Sequence, residues 1–249
     1  MLSVIIIAKN EAMNLRRCLS SVSWADEIII LDSGSTDNTL AIAKEFTDKV
    51  YSTDWPGYGI QKQRALTYAT GDWILNLDAD EVVTEALRHE LLKAMQEDKA
   101  DAYHSPIHLN FYGQSLSYSW SPKHHIRFFK RLGAHYTENI VHESIALPSH
   151  SRIGKLKNAI QHYCLQDVSH ALQKMNLYSS YSAAIRKEQR PAPSMLKVTL
   201  SACWMFFRCY FIQRGWIEGK KGFLLAVLSA QGSFYRGIKM IYPDKESPI

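Results

Sequence analysis

A chain of 249 residues can bury one substantial core, alone or with an appendage, and its 46% hydrophobic and 21% charged composition excludes a disordered chain. The net charge of +5 hides a division: residues 1–150 hold 14 Lys+Arg against 19 Asp+Glu, a balance of −5, and residues 151–249 hold 15 against 5, a balance of +10. Cys18, Cys164, Cys203 and Cys209 show no C-x-x-C pair and no metal-ligand spacing, and read as free thiols in a reducing cytosol and not as a disulfide frame.

The run Leu2–Ile7 is too short and lacks the basic flank of a signal peptide, so Ser3–Ala8 is expected to be the first buried strand. Asn10 is placed to cap a helix through Val22, with Leu15, Cys18, Leu19 and Val22 at helical spacing. Glu27–Leu31 is a second strand ending at Asp32, and Ser33–Asp37 is a polar turn opening a helix to Phe46. A short strand over Lys49–Ser52, a helix from Gly59 to Ala69, a strand over Trp73–Leu77 and a helix from Thr84 to Glu97 follow. Such alternation predicts an α/β fold, a mostly parallel sheet with helices on both faces.

Beyond Ala102 the pattern changes. Tyr103–Leu109, Ile126–Lys130 and Ile160–Cys164 are expected strands, with His135–Ile145 between loop and strand. Ser169–Lys187 is a helix, Pro191 and Pro193 break the chain, and Met195–Gln213 and Gly222–Met240 are apolar-aromatic segments. No run reaches the roughly 20 apolar residues of a spanning helix; Val198–Ile212 is shorter and contains Arg208.

Parallel topology brings three strand ends to one edge: Ala8-Lys9-Asn10-Glu11, Asp32, and Leu77-Asp78-Ala79-Asp80-Glu81. Residues i and i+2 of an extended chain point the same way, so Asp78 and Asp80 present two carboxylates suited to Mg²⁺ or Mn²⁺ holding a diphosphate; the alternative is an acidic turn where a strand stops. A dinucleotide-binding fold needs G-x-G-x-x-G after the first strand, and residues 8–18 contain no glycine.

Together, Ser3–Glu11, Leu31-Asp32-Ser33-Gly34-Ser35-Thr36-Asp37 and Leu77–Glu81 resemble glycosyltransferase family 2, whose members are inverting enzymes of the GT-A fold. Trp73, Val141-His142-Glu143, His162-Tyr163 and Lys174-x-x-x-Tyr178 are similar to its bacterial lipopolysaccharide core β-1,4-glucosyltransferases. Ser33 departs from the D-D-G-S form. The resemblance implies a Rossmann-like GT-A catalytic domain over 1–190, divided into a nucleotide-sugar half (1–100) and an acceptor half (101–190), with a helical extension over 191–249. It implies donor contacts from Ala8, Asn10, Glu11, Asp32, Arg64 and Asp78. It also implies Mn²⁺ or Mg²⁺ on Asp80, with Asp78 on the ribose or the metal, and His162 completing the metal shell. Glu143 is the implied base, with Glu81 and Glu138 as acidic alternatives; a carboxylate capping a turn, or pairing with Arg127 or Lys130, is the structural alternative for Glu143.

The implied partners are a UDP-sugar, glucose first, and a lipid-linked oligosaccharide acceptor. The alternatives are another donor, a protein acceptor, or a nucleotide-sugar binding protein without catalysis. In the tail, Trp204 to Tyr242 interleaves large aromatics with Arg208, Arg214, Lys220, Lys221, Arg236 and Lys239. Residues 195–240 thus suit an anionic membrane surface, expected at the cytoplasmic face, or a helix pair packing on the core. The aliphatic run Phe223–Leu228 does not suit nucleic acid.

Overall fold

The computed structural model describes residues 1–119, 124–137 and 144–243, which form two compact units. The first contains residues 1–108 and 123–163; the second contains residues 109–122 and 164–249.

The first unit opens with strand β1 (Leu2–Ala8), helix α1 (Ala12–Ser21), β2 (Glu27–Asp32), α2 (Thr39–Lys44), β3 (Val50–Ser52), α3 (Tyr58–Tyr68), β4 (Trp73–Asp78), β5 (Glu81–Val82) and α4 (Glu85–Glu97). β3, β2, β1 and β4 lie side by side in that order, all parallel. The alternation of β1 explains why helices are needed on both faces. Leu2, Val4, Ile6 and Ala8 enter a core with Leu15, Cys18 and Leu19 of α1, Ile42 and Ala43 of α2, and Leu87 and Leu91 of α4. Ile5 and Ile7 enter a second core with Ala65 and Leu66 of α3. Thr84 caps α4 by accepting the Leu87 N–H at 3.2 Å.

The chain then turns antiparallel. β6 (Ala102–Phe111) carries the backbone from the first unit into the second, where it forms a hairpin with β7 (Gln114–Leu116). Tyr112 and Gly113 make its two-residue turn with φ of 48° and 74°, the left-handed pair such a turn requires. β8 (His124–Lys130) returns to the first unit and inserts antiparallel between β4 and β6, stacking Phe128 on Trp73 with ring centroids 4.5 Å apart. β9 (His135–Tyr136) pairs with β10 (Ile145–Ala146), β11 (Ile153–Lys155) lies parallel to β6, and β12 (Ile160–His162) pairs antiparallel with β5.

The second unit adds α5 (Val168–Gln189), α6 (Met195–Phe207) and α7 (Gly219–Ile241) to the hairpin. Asp167 caps α5 and Ser194 caps α6. Leu109, Phe111 and Leu116 of the hairpin pack with Leu165, Ala171, Leu225 and Leu228. The boundary after Tyr163 groups α5 with the C-terminal helices. One expectation is corrected here. α6 continues through a π-helical turn, Arg208–Ile212, so that Met195–Ile212 is an 18-residue helix long and apolar enough by length and composition to cross a membrane. The apolar run Val198–Ile212 is lengthened by the first turn from the Ser194 cap, and Arg208 lies within the continuous helix.

Candidate active site

Three loops meet at the carboxyl ends of β1, β2 and β4, and hydrogen bonds knit the first two. Asn10 does not cap α1. Its backbone is left-handed (φ 56°), its Oδ1 accepts from the Thr36 N–H at 2.8 Å, and its own N–H donates to Ser35 Oγ at 2.8 Å. The free amides at the start of α1 are met from the same neighbouring loop, Glu11 N–H by Thr39 Oγ1 and Ala12 N–H by Asp37 Oδ2. The Glu11 carboxylate accepts from Asn14 Nδ2 at 3.0 Å. Ala8 pairs with Asp32 across the strands, and its carbonyl accepts from the Ser33 N–H.

Asp32 is fully buried. Its Oδ2 accepts from the amides of Gly34 and Ser35, both at 3.0 Å, and Oδ1 accepts the Ser35 hydroxyl. This carboxylate therefore shapes the turn, in which Gly34 adopts φ 82°. Gln61 ties α3 to the turn, donating to Ser33 Oγ at 2.9 Å and Thr53 Oγ1 at 2.7 Å. Arg64 stands at the edge of this knot, donating to Gln61 Oε1 at 3.4 Å and to the exposed Asp54 at 2.6 Å.

Asp78 and Asp80 are held by different partners. β4 ends at Asp78 and the chain turns through Ala79 and Asp80, so the alternation that would aim both carboxylates alike stops between them. Asp78 sits 2.7 Å from Arg127 Nη2 and 3.2 Å from Lys62 Nζ. Burial opposes its ionisation, but the two cations outweigh it and hold the carboxyl well below the usual range. Arg127 Nη2 also reaches Glu81 at 2.9 Å, and Glu81 accepts the Asp78 N–H at 2.9 Å. Burial pushes the Glu81 carboxyl up to about 7 against the pull of Arg127.

Asp80 Oδ2 lies 3.2 Å from His162 Nε2. β12 supplies the histidine, placed by the register His162↔Glu81 and by the Tyr163 N–H donating to the Asp80 carbonyl at 2.8 Å. Among the described residues no group of three His, Cys, Asp or Glu side chains could hold a metal. One hard oxygen and one imidazole nitrogen nevertheless suit Mg²⁺ or Mn²⁺ where substrate phosphates and water complete the coordination. The residues present thus fit a cation bridged to a diphosphate. Glu143, together with His142 and Glu138, lies outside the described residues.

Lys62 and Arg127 stand at the candidate site as partners of Asp78 that the sequence did not single out, and Glu81, an acidic alternative for the base, instead pairs with Arg127. Lys62 could have been found: it shares a helical face with Ala65, Leu66 and Ala69, which makes it a buried cation needing a partner, whereas Arg64 points to the exposed side. Arg127 gives no local signal, because its partners lie 46 and 49 residues away.

Four parallel strands with ligand loops at their carboxyl ends, followed by antiparallel strands that return a histidine to the aspartate turn, define a glycosyltransferase fold of the GT-A kind. The chain belongs to glycosyltransferase family 2, whose family model, described as "Glycosyl transferase family 2", matches residues 3–158. It is 31% identical over 251 residues to an uncharacterized glycosyltransferase of Rickettsia bellii, covering 96% of this chain and 85% of that one. It is 30% identical over 249 residues to the lipopolysaccharide core biosynthesis glycosyltransferase LpsC of Rhizobium meliloti, covering 96% and 91%. The structure of S. aureus TarS 1–349 superposes with a TM-score of 0.50 at 16% identity, over 95% of this chain and 88% of that one, a likeness of fold alone.

Proposed function

We propose that the protein moves one sugar, glucose first, from a UDP-sugar to a lipopolysaccharide core or related lipid-linked oligosaccharide, with inversion at the anomeric carbon. It works as a peripheral enzyme on the inner face of the cell membrane, whose anionic surface it meets through residues 195–240. The observation that carries the reading is the Asp80–His162 pair at the carboxyl edge of a family 2 fold. The likeness to LpsC supports the acceptor class.

In this reading Asp80 and His162 hold Mn²⁺ or Mg²⁺. When bound, the cation neutralises charge growing on the departing diphosphate. Asp78, fixed by Arg127 and Lys62, stays ionised toward the ribose, and the loops at Ala8–Glu11 and Asp32–Asp37 frame the nucleoside. Arg64 reaches the nucleotide on leaving Asp54. An acceptor hydroxyl oxygen attacks the anomeric carbon as the bond to the diphosphate oxygen breaks. Glu143 takes the hydroxyl proton, which requires approach to about 3 Å.

Calorimetry with UDP-glucose, UDP-galactose, UDP-N-acetylglucosamine and ADP-heptose, each with Mn²⁺ and with EDTA, tests this. Metal-dependent binding of one UDP-sugar, lost in Asp80→Ala, is expected, and Glu143→Ala should lose turnover while keeping donor affinity. Binding of no donor by folded protein, or full turnover in Glu143→Ala, overturns it.

A further inference from the structure

The C-terminal helices present an exposed apolar face. In α6 and its π-helical continuation, Leu196, Leu200, Trp204, Phe207 and Phe211 are exposed, Leu196 by 70% and Leu200 by 60%. At about 100° per residue these five positions fall within an arc of about 80°. Val198 and Cys209, both buried, lie on the opposite side. The stripe is therefore an outward face of a helix whose other face is already packed, and an apolar stripe of this extent marks an interaction surface.

Charge identifies the partner. Residues 195–243 hold seven Lys+Arg and one acidic residue, Glu218. Glu218 is buried, accepting the amides of Tyr118 and Ser119 at 2.8 and 2.9 Å. Lys197, Arg208, Arg214 and Lys220 are exposed, so four of the seven cations of this segment stand open to solvent and no carboxylate of the segment does. Rings, aliphatic side chains and cations without anions match the headgroup layer of an anionic bilayer.

The same helix is long enough to span, but its partners argue against crossing. Val198 packs against Gly237 of α7 so closely that an added Cβ at Gly237 would stand 2.7 Å from it, and Ser201 bonds Ser233 at 3.1 Å. α7 is in turn fastened to α5, where Lys239 Nζ donates to Asn176 Oδ1 at 2.7 Å and Ser180 Oγ at 2.6 Å. α5 carries Arg186, Lys187 and Glu188, so inserting α6 would draw a charged helix into lipid or break both seams.

We propose that α6 lies in the plane of an anionic membrane surface, with Leu196, Leu200, Trp204, Phe207 and Phe211 in the acyl boundary and Lys197 and Arg208 at the headgroups. This deepens the membrane assignment above and rests on it for the choice of partner.

The test is co-sedimentation of the full chain with phosphatidylglycerol-containing vesicles against phosphatidylcholine vesicles, beside Leu200→Glu/Phe207→Glu. Thermal melting and UDP-sugar calorimetry are run on the same preparations, so loss of the docking face is separable from failure of the donor site. The expected result is binding to the anionic vesicles, release by alkaline carbonate, and about tenfold weaker partition of the variant. Should the variant not fold, quenching of wild-type tryptophan emission by lipid brominated near the headgroup, exceeding that by lipid brominated at the chain end, carries the test. Resistance to carbonate extraction, vesicle binding by the folded variant equal to wild type, or absence of vesicle binding with a dimer abolished by the variant overturns the proposal.

Discussion

Replacing Glu27 with glutamine removes one buried charge at the end of β2 opposite the candidate site. The Glu27 side chain is 2% exposed and accepts from the Ser3 hydroxyl, the Lys49 ammonium, the Thr70 N–H at 2.9 Å and the Thr70 hydroxyl at 3.0 Å. Burial opposes the charge, yet these donors hold the pKa down to about 2 from 4.5. At about 1.4 kcal/mol for each tenfold change, that drop corresponds to roughly 3 kcal/mol of native-state preference. Lys49 is 44% exposed and water screens its share, so about 2 kcal/mol is the expected contribution. A depressed native pKa stabilises fully above the unfolded value near 4.5, and that stability is lost as pH falls toward 2. Urea unfolding of wild type and Glu27→Gln at about pH 7 should therefore differ by about 2 kcal/mol, and at about pH 3 by less than half of that. An equal gap at both pH values would refute the charge as its source. UDP-sugar affinity should be the same in both proteins, because the site loops leave the other end of the strand.

Arg127→Met should lower stability by about 3–5 kcal/mol in urea unfolding, since it leaves Asp78 and Glu81 without their shared cation. Adding Asp78→Asn should recover part of that loss; a double variant as unstable as the sum of the two singles would remove the pair from the account. Gly71→Ala should cost about 1–3 kcal/mol, because its Cβ would stand 2.8 Å from the Ser3 backbone nitrogen and 2.9 Å from the Met1 carbonyl oxygen; an unchanged melting temperature would contradict that contact. Mn²⁺ alone should bind at least about tenfold more weakly than Mn²⁺ with UDP, as among the described residues the site offers one carboxylate and one imidazole. Equal metal affinity with and without UDP in calorimetry would require a further protein ligand.

The parallel half was legible where its strands are apolar runs buried on both faces: β1 was expected from Ser3 to Ala8 and spans Leu2–Ala8, every residue buried. Thr84 and the last turn at Glu97 were readable for α4 by capping and periodicity. The short strands at 49–52 and 160–164 were also expected, but β5 was not, since its two residues carry no period and are fixed by a partner elsewhere in the chain. Asn10 has the composition of a helix cap, but a left-handed backbone turns it toward Thr36 instead. The motif around Asp78 was readable as acidic; which cation each carboxylate meets was not, because Arg127 arrives on a strand inserted from 49 residues downstream.

Asp80 and His162 are separated by 82 positions, and β12 is joined to β5 by only two residue pairs. β12 also lies beside β6 in the sheet and buries Ile160 in the main core, so a cation and diphosphate seated between Asp80 and His162 would add a clasp to a closure the fold already holds. Donor binding there would favour the closed form, and amide exchange in β12 should slow when the donor binds, while β1 and β2 stay as protected as before. The family model's match ends at residue 158, four positions before His162.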